Sequence, residues 1–391
     1  MISILPESLD DLMKCLSVFA LGGIVIVLVG QMLRIRPAIS LGLYAWHSLF
    51  CAAYAYIAIK NGGDAIGYYL RSFDLFLQFD LGTNAIVAGV SYLTVSLGFS
   101  FIATSLVFNM VGALGLVLFL AAIKETQNEL HWSSWLVILL PSVSFWSAGV
   151  GKDPLSFFAS ALFAWWVASG GIRVWPMVFA LVIMGLARPH IAIVMAAAGT
   201  LFSVIQARQS PIRAAVGLLL VVSGGIYLLP IVLQKMNIET LNLEDIGGVI
   251  EGRESQNLMG GSSIEISGMP PYLKIFTYLF RPMPFEAADA LQLLSGVENI
   301  ILLIIISIAT CFYLTRPKLR GSFQLIPLLL LGVFLTVFLS FITANLGIAV
   351  RQKWMALVPL LIFLSAFLEA KRPLKRAPQY RVNRYPTPDR R

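Results

Sequence analysis

GFSFIATSLVFNMVGALGLVLFLAAI, residues 98–123, runs without one ionisable side chain and stops at Lys124. Wound as a helix at 1.5 Å per residue, it is about 39 Å long, enough to cross a hydrocarbon core about 30 Å thick. Comparable apolar runs recur along the chain at 13–33, 39–59, 133–150, 154–170, 174–187, 190–207, 214–233, 298–315, 322–344 and 353–370. The pattern predicts an all-α, polytopic transmembrane bundle of about eleven spans over residues 1–370, followed by a basic, disordered tail at 371–391. Composition agrees. Of 391 residues, 58% are apolar and 12% charged, and the mean hydropathy is +0.83. A soluble domain carries about a quarter charged residues. The period-2 alternation of a transmembrane barrel is absent.

Charge fixes the expected orientation. Arg34, Arg36, Lys124, Arg173, Arg208, Arg213, Arg316, Lys318 and Arg320 follow alternate spans, and the tail KRPLKRAPQYRVNRYPTPDRR adds many more bases. Short basic loops stay on the cytoplasmic side, which puts the N-terminus outside and the C-terminus in the cytoplasm of a multi-pass protein in a bacterial inner membrane. The first dozen residues, with Glu7, Asp10 and Asp11, lack a basic leader, so a cleavable signal peptide is not expected. The net charge of +8 resides in those loops and the tail, so the expected partner is the lipid bilayer and not nucleic acid. Cys15, Cys51 and Cys311 fall within expected spans and read as small buried apolar residues.

Two segments are left on the outer side. Residues 60–97, with Asp64, Arg71, Asp74 and Asp80 among aromatics, read as one or two short helices at the interface. Residues 234–297 form a larger loop with an acidic first half, a Gly/Ser hinge at 260–263 and the stretch MPPYLKIFTYLFRPMPFEA, expected at headgroup level. No internal repeat is visible, which counts against a transporter built from inverted halves.

The same threading gathers Asp64, Lys152, Asp153, Arg188, His190, Arg281, Glu286, Glu298 and Arg351 on that side. Charges kept near lipid usually have a task. In NGGDAIGYYLRSFD, 61–74, Asp64 either caps a helix or stands as a carboxylate able to take a proton from an attacking hydroxyl. Tyr68 lies one turn along, and Tyr68 and Tyr69 would flank a sugar. In LPSVSFWSAGVGKDPLSFF, 140–158, Lys152 and Asp153 either neutralise each other, with Asp153 capping a helix, or meet and orient a phosphate. In GLARPHIAIV, 185–194, Arg188 is suited to an anion or to pairing with Asp153, and His190 to a structural hydrogen bond or substrate contact. Arg281 and Arg351 extend the set of guanidinium forks that fit phosphate oxygens. Snorkelling accounts for Lys353. Glu286, Asp289 and Glu298 could each pair an arginine or act as a base. HExxH, DxD, P-loop, GxGxxG and GxSxG patterns are missing, so neither a metal nor another cofactor is expected.

The element GGDAIGYY after the second span, with PSVSFWSAGVGKD, ARPH, FRPMPFEA…ENI and VRQK, resembles bacterial polysaccharide polymerases of the Wzy/EpsG-like type, which are GT-C-like membrane glycosyltransferases. The resemblance covers most of the chain as short spaced blocks. It implies an undecaprenyl-linked glycan donor and acceptor, no nucleotide sugar, and work beside polysaccharide export or chain-length proteins. Asp64 then matches an outer-loop acid, with Asp153 and Glu286 as further acids, and Arg188, Arg281 and Arg351 match phosphate-holding bases. A lipid-glycan permease or an export-complex scaffold are the rival readings, and a nearly uncharged interior, with His47 alone inside a span, counts against the permease.

Overall fold

The computed structural model describes residues 5–74, 78–127, 129–206, 262–266, 268–315 and 323–368, with scattered positions between 211 and 226. Every named element among them is helical: α1 Leu9–Met32, α2 Pro37–Asn61, α3 Asp64–Arg71, α4 Thr83–Ser91, α5 Phe101–Thr126, α6 Trp132–Ile138, α7 Pro141–Trp146, α8 Lys152–Ala168, α9 Trp175–Ala187, α10 Pro189–Gln206, α11 Pro271–Phe280, α12 Ala290–Thr315, α13 Ile326–Ile342 and α14 Leu346–Leu368. Six of them, α1, α2, α5, α10, α12 and α14, are long and apolar enough to cross a membrane, so the protein is a helical, membrane-embedded, multi-pass molecule.

Local chemistry sets where these helices begin. Ser8 Oγ accepts the Asp11 amide at 3.1 Å, and Ser100 Oγ accepts that of Ala103 at 3.3 Å, filling donors that a first turn leaves open. Prolines open α2, α7, α9 and α13, where a missing N–H costs nothing. Pro141 also divides the run expected as one span at 133–150 into α6 and α7. At other places the helices start earlier than the apolar runs. α12 begins at Ala290 and α14 at Leu346, which takes Arg351 from the loop expected at 345–352 into a helix and moves Glu298 and Lys353 from the first positions of their spans to two turns inside their helices. Most of the run 214–233, most of the first half of the large loop, and the tail 371–391 lie outside the described residues.

α5 and α14 form the centre. In each, 72% of the most apolar window is buried, against 17% in α1 and 28% in α12. Helix association in lipid depends on close packing and polar contacts, since tails are as apolar as leucine. α5 meets this condition with glycine. A Cβ at Gly112 would stand 2.1 Å from the Ser147 carbonyl oxygen, and one at Gly115 2.7 Å from the Phe157 ring. Only a bare backbone lets α5 come this near to its neighbours.

Polar bonds mark the two ends of the bundle. At one, Lys124 Nζ donates to the Arg34 carbonyl at 2.8 Å and Gln127 Nε2 to that of Ser365 at 2.8 Å. At the other, Lys14 Nζ reaches the Gly98 carbonyl at 3.2 Å, and the chain turns through Gly62 and Gly63, both at positive φ, into α3. Residues 60–97 do hold two short helices, α3 and α4. In the stretch expected at headgroup level, Thr277, Tyr278, Leu279 and Phe280 of α11 are buried, against α13 and α14. Cys15 and Cys51 are buried as expected, but Cys311 is exposed on α12.

Replacing Gly112 by Ala should cost about 1–3 kcal/mol by overpacking. Gly42, with open space around its Cα, should take the same change almost without effect. Thermal unfolding of both variants in detergent measures the difference.

Candidate functional site

The turn after α2 delivers Asp64 as the first residue of α3, with Gly63 ahead of it making no side-chain cap. Asp64 therefore does not cap the helix. Its carboxylate instead accepts from Arg351 Nη1 at 2.9 Å, across 287 residues of sequence. Asp153 behaves alike. Its helix opens one residue earlier, at Lys152, after an uncapped Gly151, and Asp153 Oδ1 meets Arg188 Nη2 at 2.6 Å. The Arg188–Asp153 pairing read from the sequence is present. Ser156 Oγ takes a further Arg188 donor at 3.2 Å.

The two ion pairs are neighbours. Arg351 lies within electrostatic reach of Asp153 as well as Asp64, and Tyr54 within reach of Asp64, Asp153, Arg351 and Tyr68. The Arg351 guanidinium stands over the Trp146 ring, 5.6 Å from its centroid, a cation–π contact that fixes its plane. Tyr54 packs edge-on to Phe145 and Trp146. Gly149 is required beneath it, because a Cβ there would stand 2.2 Å from the Tyr54 ring. Tyr68, one turn from Asp64, completes the wall. Burial, then the charges of Asp64 and Asp153, push its phenol up, while Arg188 pulls it down.

Exposure separates the two acids. The Asp64 side chain is 62% exposed and that of Arg351 23%, whereas Asp153 and Arg188 are 21% and 12% exposed. An open carboxylate thus stands above a sheltered layer of paired charge. Two positive forks, two carboxylates and three aromatic side chains suit an anionic ligand carrying a polar, ring-shaped group. Among the described residues no three His, Cys, Asp or Glu side chains gather as a metal would require.

The remaining candidates have other partners. Tyr69 turns to the opposite side of α3, buried between Phe73 and Phe101, its phenol pushed up to about 12 chiefly by burial. Arg281 and Glu286 pair with each other at 2.5 Å, and Glu286 also accepts the Met283 amide at 2.7 Å, closing the turn after α11. Burial raises the Glu286 carboxyl, but the Arg281 and Met283 donors outweigh it and hold it below the usual carboxylate range. His190 opens α10, its ring 6.4 Å from that of Phe338. Lys152 is partly buried in the first turn of α8.

Three features escaped the sequence reading. His47 joins Asn109 Oδ1 at 2.6 Å and Ser147 Oγ at 2.8 Å, tying α2 and α5 to the strand of chain that leads into Lys152 and Asp153. Tyr54 and Trp146 carry no motif, although their place beside small residues and a proline-broken span was visible. Lys353 does not snorkel. It is 1% exposed, bonded to Asn299 Oδ1 and, at 3.4 Å, to the Leu279 carbonyl. The signal was its spacing, since residues two apart on a helix do not share a face. With Arg351 in the cluster, Lys353 must point elsewhere. Glu298, expected at the surface, is likewise 2% exposed.

Comparison with known families, curated proteins and solved structures finds no match for this chain.

Removing one partner of the sheltered pair, by Arg188→Met, should destabilise the fold by roughly 1–3 kcal/mol because Asp153 loses its counter-charge. Asp64→Asn should cost well under about 1 kcal/mol, given its exposure. Thermal unfolding of matched detergent samples tests both. Glu286 adds a pH signature. Its carboxyl is held low in the folded chain, so its contribution is complete above the unfolded value of about 4.3 and fades as the pH falls through the folded one. The stability gap between wild type and Glu286→Gln should therefore be constant near neutrality and close in acid.

Proposed function

We propose that the chain is a membrane glycosyltransferase, a polysaccharide polymerase that joins glycan units carried on undecaprenyl (pyro)phosphate. In this reading the Asp64 end faces the periplasm of a bacterial inner membrane and the basic tail the cytoplasm, in keeping with the basic loops. The observation that carries it is the convergence of Asp64–Arg351 and Asp153–Arg188 on one aromatic-walled cluster.

The chemistry follows from those groups. Phosphate oxygens of the donor exchange for the Asp64 carboxylate on Arg351 and meet the remaining donors of Arg188, whose planar guanidinium still holds Asp153. The bond from the sugar's anomeric carbon to the phosphate oxygen breaks, and the electron pair leaves with the lipid phosphate, its charge held by the two guanidinium groups. An acceptor hydroxyl bonds to the same carbon and gives its proton to the Asp64 carboxylate, a step worth about 10²–10⁴-fold. Asp153 keeps Arg188 oriented, and Tyr54, Tyr68 and Trp146 supply faces for sugar rings. Arg281, tied to Glu286, stands as a reserve cation for a longer phosphate chain. Export and chain-length proteins would take the product.

A second reading, a lipid-glycan permease, is favoured by a different observation. Lys353 and Glu298 lie buried inside the bundle, where carriers place their charges.

Surface-polysaccharide length in a deletion strain, complemented at matched membrane levels, separates the two. A polymerase requires that Asp64→Asn and Arg351→Lys both lose long chains while single lipid-linked units accumulate outside. Normal lengths in both variants would discard the site. Units trapped on the cytoplasmic side would favour the permease.

A further inference from the structure

Eight buried side-chain polar atoms lack a hydrogen-bond partner among the described residues: Ser40 Oγ, Trp46 Nε1, Thr104 Oγ1, Ser142 Oγ, Ser144 Oγ, Thr277 Oγ1, Tyr278 OH and Trp354 Nε1. Native structures leave few such groups, and each normally has a bound water or ion. The last five are carried by the same stretches of α7, α11 and α14 that build, with α12, one polar network.

That cluster has its own framework. Glu298 of α12 receives the Ser142 amide on both oxygens, at 3.0 and 3.2 Å. Asn299 Nδ2 donates to the Pro282 carbonyl at 2.9 Å, which turns its oxygen towards Lys353. An ammonium offers three donors, and Asn299 and Leu279 take two, leaving one for the space around it. Lys353 and Glu298 sense each other's charge, yet no ion pair within 4 Å joins them. Thr277 and Tyr278 immediately precede Leu279, and Trp354 immediately follows Lys353. Counting about 1.5 Å per residue along α14, Lys353 is about 18 Å from Ser365, which marks the opposite end. The cluster is therefore well inside the bundle, where an unsolvated ammonium and carboxylate would be costly.

We propose that this cluster is a water-binding site inside the membrane region, in which bound waters bridge Lys353, Glu298 and the five unpartnered groups. A buried water makes about three hydrogen bonds, so two or three waters, roughly, satisfy the set. Tyr278 lies within electrostatic reach of Arg188, which points the site towards the Asp153–Arg188 pair. The ligand is water itself, and the site extends the polar surface of the Asp64 end into the bundle.

Two measurements decide it. In radiolytic hydroxyl-radical footprinting of the unaltered protein, radicals form on bound water and oxidise what touches it. Tyr278 and Trp354 should react several-fold faster than Trp166, which is equally buried but bonded to the Arg173 carbonyl. Rates equal to or below that of Trp166 would overturn the proposal. The second reads the sign of a stability change. Thr277→Val and Tyr278→Phe should lower the unfolding midpoint by about 1–3 °C, because each deletes a satisfied hydrogen bond. Thr104→Val, at an unpartnered hydroxyl on α5, which supplies no bond to the cluster, should leave it unchanged or raise it. Unchanged or raised midpoints at 277 and 278, or an equal loss at 104, would show the cluster to be dry.

Discussion

The Lys353 ammonium, sunk among α11, α12 and α14, is the constraint around which the rest is arranged. Burying such a charge costs several kcal/mol unless its donors are met, and the fold meets two of the three with an amide oxygen and a backbone carbonyl from two other elements. The same bonds hold α11 inside the bundle and, through Asn299, fix the turn that carries Arg281. Two residues earlier on α14, Arg351 emerges on the other side beside Asp64. One helix thus anchors the interior with one base and presents the second to the open face. Fixing Lys353 fixes Arg351.

Much of the architecture could be read from the sequence, because a run like 98–123 has few alternatives to a spanning helix. Element ends were less legible. An apolar window starts where charge stops, whereas a helix starts where its first amides find partners, so Arg351 was placed in a loop, Glu298 and Lys353 at the first positions of spans, and all three lie further inside helices. Composition carries no information about partners. It could nominate Asp64, Asp153, Arg188 and Arg351, and the first-guessed partner of Arg188 was right, but nothing in a string of residues joins position 64 to position 351. The hydroxyl-rich seam was invisible for a related reason: Ser, Thr, Tyr and Trp are ordinary in membrane helices, and only packing reveals which of them are orphaned.

The two layers of charge divide the work. Asp153 and Arg188 are sheltered and mutually satisfied, so they hold shape. Asp64 is open, and its pairing with Arg351 is the kind that water and salt weaken. An incoming anion would therefore compete first for Arg351, at little cost to the fold, while the layer beneath keeps its geometry. Trp146 maintains the guanidinium plane during that exchange.

The enclosure of α5 bears on how the protein is made. Its faces are covered by α1, α2 and α8, but also by α14, the last described helix, whose Ser365 bonds Thr126 at 2.9 Å. Synthesis proceeds from the N-terminus, so α5 leaves the ribosome long before α14 exists. During that interval Gly112, Gly115 and the polar edge of Asn109 must be tolerated by lipid or shielded by the insertion machinery. Closure of this core is consequently a late event, since α14 covers helices made more than two hundred residues earlier.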